Sequence, residues 1–148
     1  MPRARPELPP AGAASSLVRH RVPFYETDAM GIVHHANFVK YLELARVVFM
    51  DEHDRPYREY VARQLHFATT HVEIDYHRPV RFDDVVEVRT WLEALRGASL
   101  RMGYTLECEG ALVATAASEH ALVDTSGRPR RIPADRRERL ARCLAPPP

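Results

Sequence analysis

Between residues 35 and 53 the chain carries one continuous apolar stripe. Phe38, Tyr41, Leu42, Ala45, Val48 and Phe49 recur at steps of three and four residues, which places them on one face of an amphipathic helix. The spacing predicts a helix from about His35 or Asn37 to about His53, roughly 27 Å long at 1.5 Å per residue, closed by Asp54-Arg55-Pro56. The rest of the middle of the chain reads with period two. Val18, His20, Val22 and Phe24 alternate with Arg19, Arg21, Pro23 and Tyr25, a half-buried strand that Pro23 assigns to an edge or near its end.

Residues 57–66 fit a short helix or a covering loop equally, and the alternation resumes at Thr70, with Val72, Ile74 and Tyr76 on one face. Three further strands follow, through Val86 to Leu92, Leu100 to Leu106, and Ala111 to Leu122, punctuated by Gly97 and Gly110 as hairpins require. Pro133 opens a short last helix to about Cys143. A long helix with one apolar face and a single sheet to pack on must lie across that sheet, so the fold class is α+β, an antiparallel five-stranded sheet wrapped around a long central helix.

The organisation expected is a disordered tail at 1–15, one domain at 16–144 and a second tail at 145–148, because proline crowds both ends. Apolar runs such as Val47 to Met50 fall far short of the ~20 residues of a membrane span. With 45% hydrophobic and 28% charged residues and a net charge of +1, there is no general field to gather nucleic acid or anionic lipid. Cys108 and Cys143 have no CxxC partner, and prolines interrupt any secretory apolar segment near the start. The reading is a reduced, cytoplasmic protein without integral membrane association.

The chemistry concentrates where the first strand gives way to the helix, in Tyr25-Glu26-Thr27-Asp28-Ala29-Met30-Gly31-Ile32-Val33-His34-His35-Ala36-Asn37. Asp28 precedes a helix start, where unpaired N–H groups and the helix dipole favour negative charge. The same N–H groups could meet the oxyanion that develops on a thioester carbonyl. Gly31 suits either a close turn or a close ligand approach. An architectural reading, with Asp28 in an Asx-turn and Gly31 at a bend, fits the spacing as well.

The string from Thr27 to Phe38, followed by Tyr41, Glu43, Ala45 and Arg46, resembles the signature of the 4-hydroxybenzoyl-CoA thioesterase family. Within it the chain looks most like the branch of short acyl-CoA thioesterases that includes the Tol-Pal-associated enzyme. The resemblance covers about residues 18–133 in element order. It implies a hot-dog fold, a homodimer with sheets joined edge to edge or a homotetramer, and hydrolysis of an acyl-CoA substrate without metal or organic cofactor. It further implies that Asp28 is the catalytic carboxylate, as nucleophile or as general base, and that the carbonyl-polarising N–H falls at His35. The His35 side chain then helps orient the water or the thioester, while Gly31 and Tyr25 belong to the substrate-binding set.

Other groups carry competing readings. Glu43 lies three residues before Arg46, an ordinary ion-pair spacing, although some hot-dog thioesterases use a helix carboxylate. Among the eight histidines, His34 and His35 are adjacent and His66, His71 and His77 lie near one strand, so zinc ligation lacks a second cluster. Arg128, Arg130 and Arg131 form a basic segment that reads as a solvated face or as the partner of CoA phosphates. A non-catalytic hot-dog module binding an acyl thioester or acyl carrier protein is the alternative to an enzyme. A nucleic-acid binder using the Arg-rich end conflicts with the near-neutral charge.

Overall fold

The computed structural model describes residues 5–147. Its elements are β1 (Ser15–Arg21), a single 3-10 turn (Phe24–Glu26), α1 (Asn37–His53), α2 (Tyr57–Ala62), β2 (Leu65–Tyr76), β3 (Val85–Leu95), β4 (Ser99–Cys108), β5 (Ala111–Asp124) and α3 (Ala134–Ala141). The five strands form one antiparallel sheet in the order β1-β3-β4-β5-β2. β1 and β2 are therefore the edges.

The stripe on α1 becomes the core. Phe38, Tyr41, Leu42, Ala45, Phe49 and Met50 are buried, while Val48 is only half-buried. They meet the inward residues of the sheet, Val86, Val88 and Leu92 from β3 and Met102, Tyr104 and Leu106 from β4. Each large apolar side chain so enclosed contributes roughly 1.5–3 kcal/mol. α1 packs on β1 and β3, and this fixes its N-terminal end beside the loop that leaves β1.

Two local departures from the sequence pattern, and one point that the pattern leaves open, have physical causes. The alternation through Phe24 and Tyr25 does not continue the strand: Pro23 lacks a donor, and after Val22 pairs with Asp83 and Asp84 the chain turns into the 3-10 segment, leaving both aromatics exposed. β2 begins at Leu65, five residues before Thr70, and its register shifts between Thr69 and His71, which hides the period. Residues 57–62 form α2, which ends through Arg63 at Gln64 in the left-handed region (φ 59°).

Of the leading segment read as a tail, residues 1–4 lie outside the described residues, as does residue 148. Arg5 pairs with Glu73 and Asp75, and the Thr105 hydroxyl donates to the Glu7 carbonyl at 2.5 Å. No helix among the described residues is long and apolar enough to cross a membrane.

Candidate functional site

The loop between the 3-10 turn and α1 is a small closed structure rather than a free span. The Asp28 N–H donates to the Ile32 carbonyl at 2.8 Å, the Gly31 N–H to the Asp28 carbonyl at 3.0 Å, and the Met30 N–H to Asp28 Oδ1 at 2.8 Å. Gly31 has φ 78°, the left-handed region, and a Cβ built there would meet nothing within 4 Å. Gly31 therefore serves the turn. Val33 donates to the Val80 carbonyl at 2.7 Å and Ile32 bridges to Arg81, which pins the loop to the segment after β2.

Glu26 anchors the other side. Its carbonyl accepts the His34 N–H at 2.9 Å and the Asn37 side-chain amide at 2.7 Å, fixing the approach to α1. Its buried carboxyl group accepts the Tyr41 hydroxyl at 2.8 Å and stands 2.7 Å from His20 Nε2. Burial first, then the Glu26 hydrogen bond and charge, push the Tyr41 phenol well above its ordinary range, so it remains a donor. Sequence reading assigned no role to Glu26, His20 or this use of Tyr41. The only sign in the sequence is an acidic residue two places before Asp28 with a tyrosine on the inward face of the helix.

At the start of α1 the Ala36 N–H donates to His34 Nδ1 at 3.1 Å, and the His34 and His35 rings stack at 4.2 Å. Asn37 and Phe38 donate backward to the His34 and His35 carbonyls. The His35 N–H has no hydrogen-bond partner among the described residues. The His35 carbonyl also accepts the Tyr76 hydroxyl at 2.9 Å, and the Tyr76 ring meets Phe38 edge-on at 5.0 Å. Burial raises the Tyr76 phenol above its ordinary value.

These pieces surround an open cavity of about 420 Å³. Asp28, Met30, Val33, His35 and Phe38 line it from the loop and α1; Tyr76, His77, Arg78, Pro79 and Val80 line it from the segment after β2. Asp28 is half-buried, and His35 is exposed to the cavity mouth. The arrangement joins one carboxylate, an unengaged backbone donor and an apolar wall. That is sufficient to hold an acyl group beside a nucleophile or base and to stabilise an oxyanion.

Asp28, His35 and Gly31 thus come together in one loop, with the first two on the cavity wall. Tyr25 is 83% exposed and does not line the cavity. Arg128, Arg130 and Arg131 follow the end of β5, where Asp124 pairs with Leu65; the cavity lies at Tyr76, which pairs with Ala114. The two places are separated by the length of β2, about 37 Å at ~3.4 Å per residue. Arg130 is engaged locally with Asp124, at 2.9 Å. The Ser126 hydroxyl first, then the Arg128 N–H and the Arg130 guanidinium, hold the Asp124 carboxyl down at about 2. Nothing in the local sequence marks Tyr76, His77 or Arg78 as site residues.

Comparison with known proteins places residues 22–140 within the model of the thioesterase-like superfamily. The acyl-CoA thioester hydrolase YbgC of Escherichia coli O6:H1 is 34% identical over 80 residues, 54% of this chain and 60% of that one, so the match spans less than two thirds of that relative. A hypothetical protein, TT1821, from Thermus thermophilus is 38% identical, with a TM-score of 0.82 over 86% of this chain and 96% of that one. A thioesterase crystallised with coenzyme A and Zn, also from Thermus thermophilus, is 31% identical, with a TM-score of 0.75 over 87% and 98%. Among the described residues of the present chain, no three His, Cys, Asp or Glu side chains stand together as a metal site.

Proposed function

The chain belongs to the thioesterase-like superfamily, and on that footing we propose that it hydrolyses acyl-CoA thioesters in the cavity at the start of α1. The observation that carries the proposal is that Asp28 and His35, whose N–H is unengaged among the described residues, line one cavity. The E. coli relative named as an acyl-CoA thioester hydrolase supports the reaction class. The finer likeness of residues 27–38 to the 4-hydroxybenzoyl-CoA thioesterase family, and to its Tol-Pal-associated branch, forms part of the same proposal.

In this mechanism the thioester carbonyl oxygen takes the His35 N–H. Asp28 either attacks the carbonyl carbon, forming an anhydride that water then opens, or removes a proton from a water that attacks directly. In both routes the C–S bond breaks, the CoA thiolate leaves and is protonated, and the free acid results. The Met30 N–H bond to Asp28 Oδ1 orients the carboxylate and leaves Oδ2 for chemistry. The apolar wall of Val33, Phe38 and Val80 receives the acyl group.

Arg78 is the cation on the cavity wall, and we assign it to the CoA phosphates. Arg128, Arg130 and Arg131 can meet the same ligand only from a second copy of the chain, in the homodimer or homotetramer that the family resemblance implies. The test is thiol release from a panel of acyl-CoA thioesters. Asp28→Asn is expected to abolish turnover while the protein melts as the parent does; turnover close to the parent's removes Asp28 from the mechanism.

A further inference from the structure

A second cavity, of about 160 Å³, lies further along α1 against β2, β4 and β5 and shares no lining residue with the first. Arg46 enters it from α1 at 5% exposure. Among the described residues its Nη1 has no hydrogen-bond partner, and its Nη2 stands 3.8 Å from the Glu43 carboxylate, beyond hydrogen-bond length. Glu43 itself is 69% exposed at the mouth, so solvent screens most of its opposition to an incoming anion.

The opposite wall is a chain of neutral groups. The Tyr104 hydroxyl is 2.7 Å from Ser118 Oγ, Ser118 Oγ is 2.7 Å from His120 Nε2, and His120 Nδ1 is 3.1 Å from Thr69 Oγ1. Burial first, with the Arg46 charge behind it, pushes His120 down to about 3, so this imidazole adds no charge at neutral pH. The wall of the cavity therefore includes one buried cation, and one N–H of that cation has no partner among the described residues. Native structures rarely leave such a donor without an acceptor. Leu42 and Val72 supply an apolar side to the same space.

We infer that this cavity is a carboxylate-binding site, with Arg46 as the charge partner and Thr69 as a supporting hydroxyl. Its volume equals that of about five waters at ~30 Å³ each, which suits a carboxylate on a short carbon chain. The carboxylate has two available sources: the free distal end of an acyl group, which rests on the thioesterase reading above, or a separate small carboxylic acid, which does not.

The test uses the full chain and two pairs of probes. Glutarate and its neutral isostere glutaramide are titrated by calorimetry, while Arg46 side-chain and His120 ring resonances are followed by NMR. Glutarate is expected to bind roughly thirtyfold or more tightly than glutaramide, to shift both sets of resonances, and to lose a similar factor in Arg46→Gln. The resonance shifts in the unmodified protein decide the matter even where Arg46→Gln fails to fold. Glutaryl-CoA and pentanoyl-CoA are then compared by kcat/KM. A preference for glutaryl-CoA that collapses in Arg46→Gln assigns the site to the acyl group. Equal turnover of the two, with glutarate bound at Arg46, assigns it to a free acid. Turnover of neither thioester, with glutarate still bound at Arg46, sinks the thioesterase reading and keeps the carboxylate site. Glutarate binding that leaves Arg46 and His120 unmoved, or no binding together with no thioester preference, overturns the inference.

Discussion

The Tyr41 hydroxyl donates to the buried Glu26 carboxyl group at 2.8 Å, tying the inward face of the central helix to the residue that holds the site loop. Through its carbonyl the same Glu26 bonds His34 and Asn37, and through its carboxyl group it also meets His20. One residue therefore links β1, the loop and α1. The positions of Asp28 and His35 follow from that link.

Tyr41→Phe removes the hydroxyl and keeps the ring contacts with Phe38 and His20. A buried acceptor losing a donor costs roughly 1–3 kcal/mol, and the looser loop displaces Asp28 and His35. Thermal melting is expected to show the stability loss, and acyl-CoA kinetics a larger fall in kcat than change in KM. An unchanged melting temperature would remove the bond from the account of the loop.

At Gly31 the demand is conformational. Its φ of 78° is one that L side chains rarely adopt, and the space around it is open. Gly31→Ala is expected to lose roughly 1–2 kcal/mol, and Gly31→Asn less, because asparagine tolerates the left-handed region. Chemical denaturation of the two variants checks the order. If alanine and asparagine are equally stable, backbone conformation is not what the position requires.

Arg136 joins α3 to the far end of α1. It is buried, its Nη2 donates to Glu59 at 3.0 Å, its Nη1 lies 3.9 Å from Asp54, and its guanidinium stands over the Tyr60 ring. Burial raises the Asp54 carboxyl above its ordinary value, against the lowering effects of the Tyr60 hydroxyl and Arg136. Arg136→Met leaves that carboxyl without its cation and is expected to cost roughly 3 kcal/mol or more. Adding Asp54→Asn should recover part of the loss in denaturant titrations, and strict additivity of the two would mean that the pair is not coupled.

The central helix was legible because its stripe is a local pattern, and the observed Asn37–His53 falls within the expected limits. The strands were legible wherever inward and outward residues alternate cleanly. β2 was not legible at its start, since Ala68 to His71 are all exposed and the one-residue register shift breaks the alternation. The site divides in the same way. Asp28, Gly31 and His35 lie within one short stretch whose turn is built from its own backbone bonds. Tyr76, His77 and Arg78 reach the cavity only because β2 pairs with β5 along its whole length, and no local pattern encodes that. Arg46 on α1 and His120 on β5 face one cavity, where the sequence alone shows an ordinary ion-pair spacing and a strand histidine.

The buried His120 sets a pH dependence whose sign can be worked out. Its ordinary value is 6.5, and in the folded chain burial and then Arg46 lower it to about 3. Between those values the unfolded chain binds a proton that the folded chain refuses, so stability rises with pH across the window and is lost as pH falls below about 6.5. Glu73, held down at about 2 by hydrogen bonds from Arg5 and then Arg101, also loses stability on acidification, but only below its ordinary value of 4.5. The interval from about 6.5 to 4.5 is therefore the one in which His120 acts without Glu73. His120→Gln keeps a neutral polar group between Ser118 and Thr69 and removes the titration. Urea unfolding at steps across that interval is expected to give a falling stability for the parent and a flatter line for the variant. Parallel lines for the two proteins would show that the imidazole is not held neutral by its surroundings.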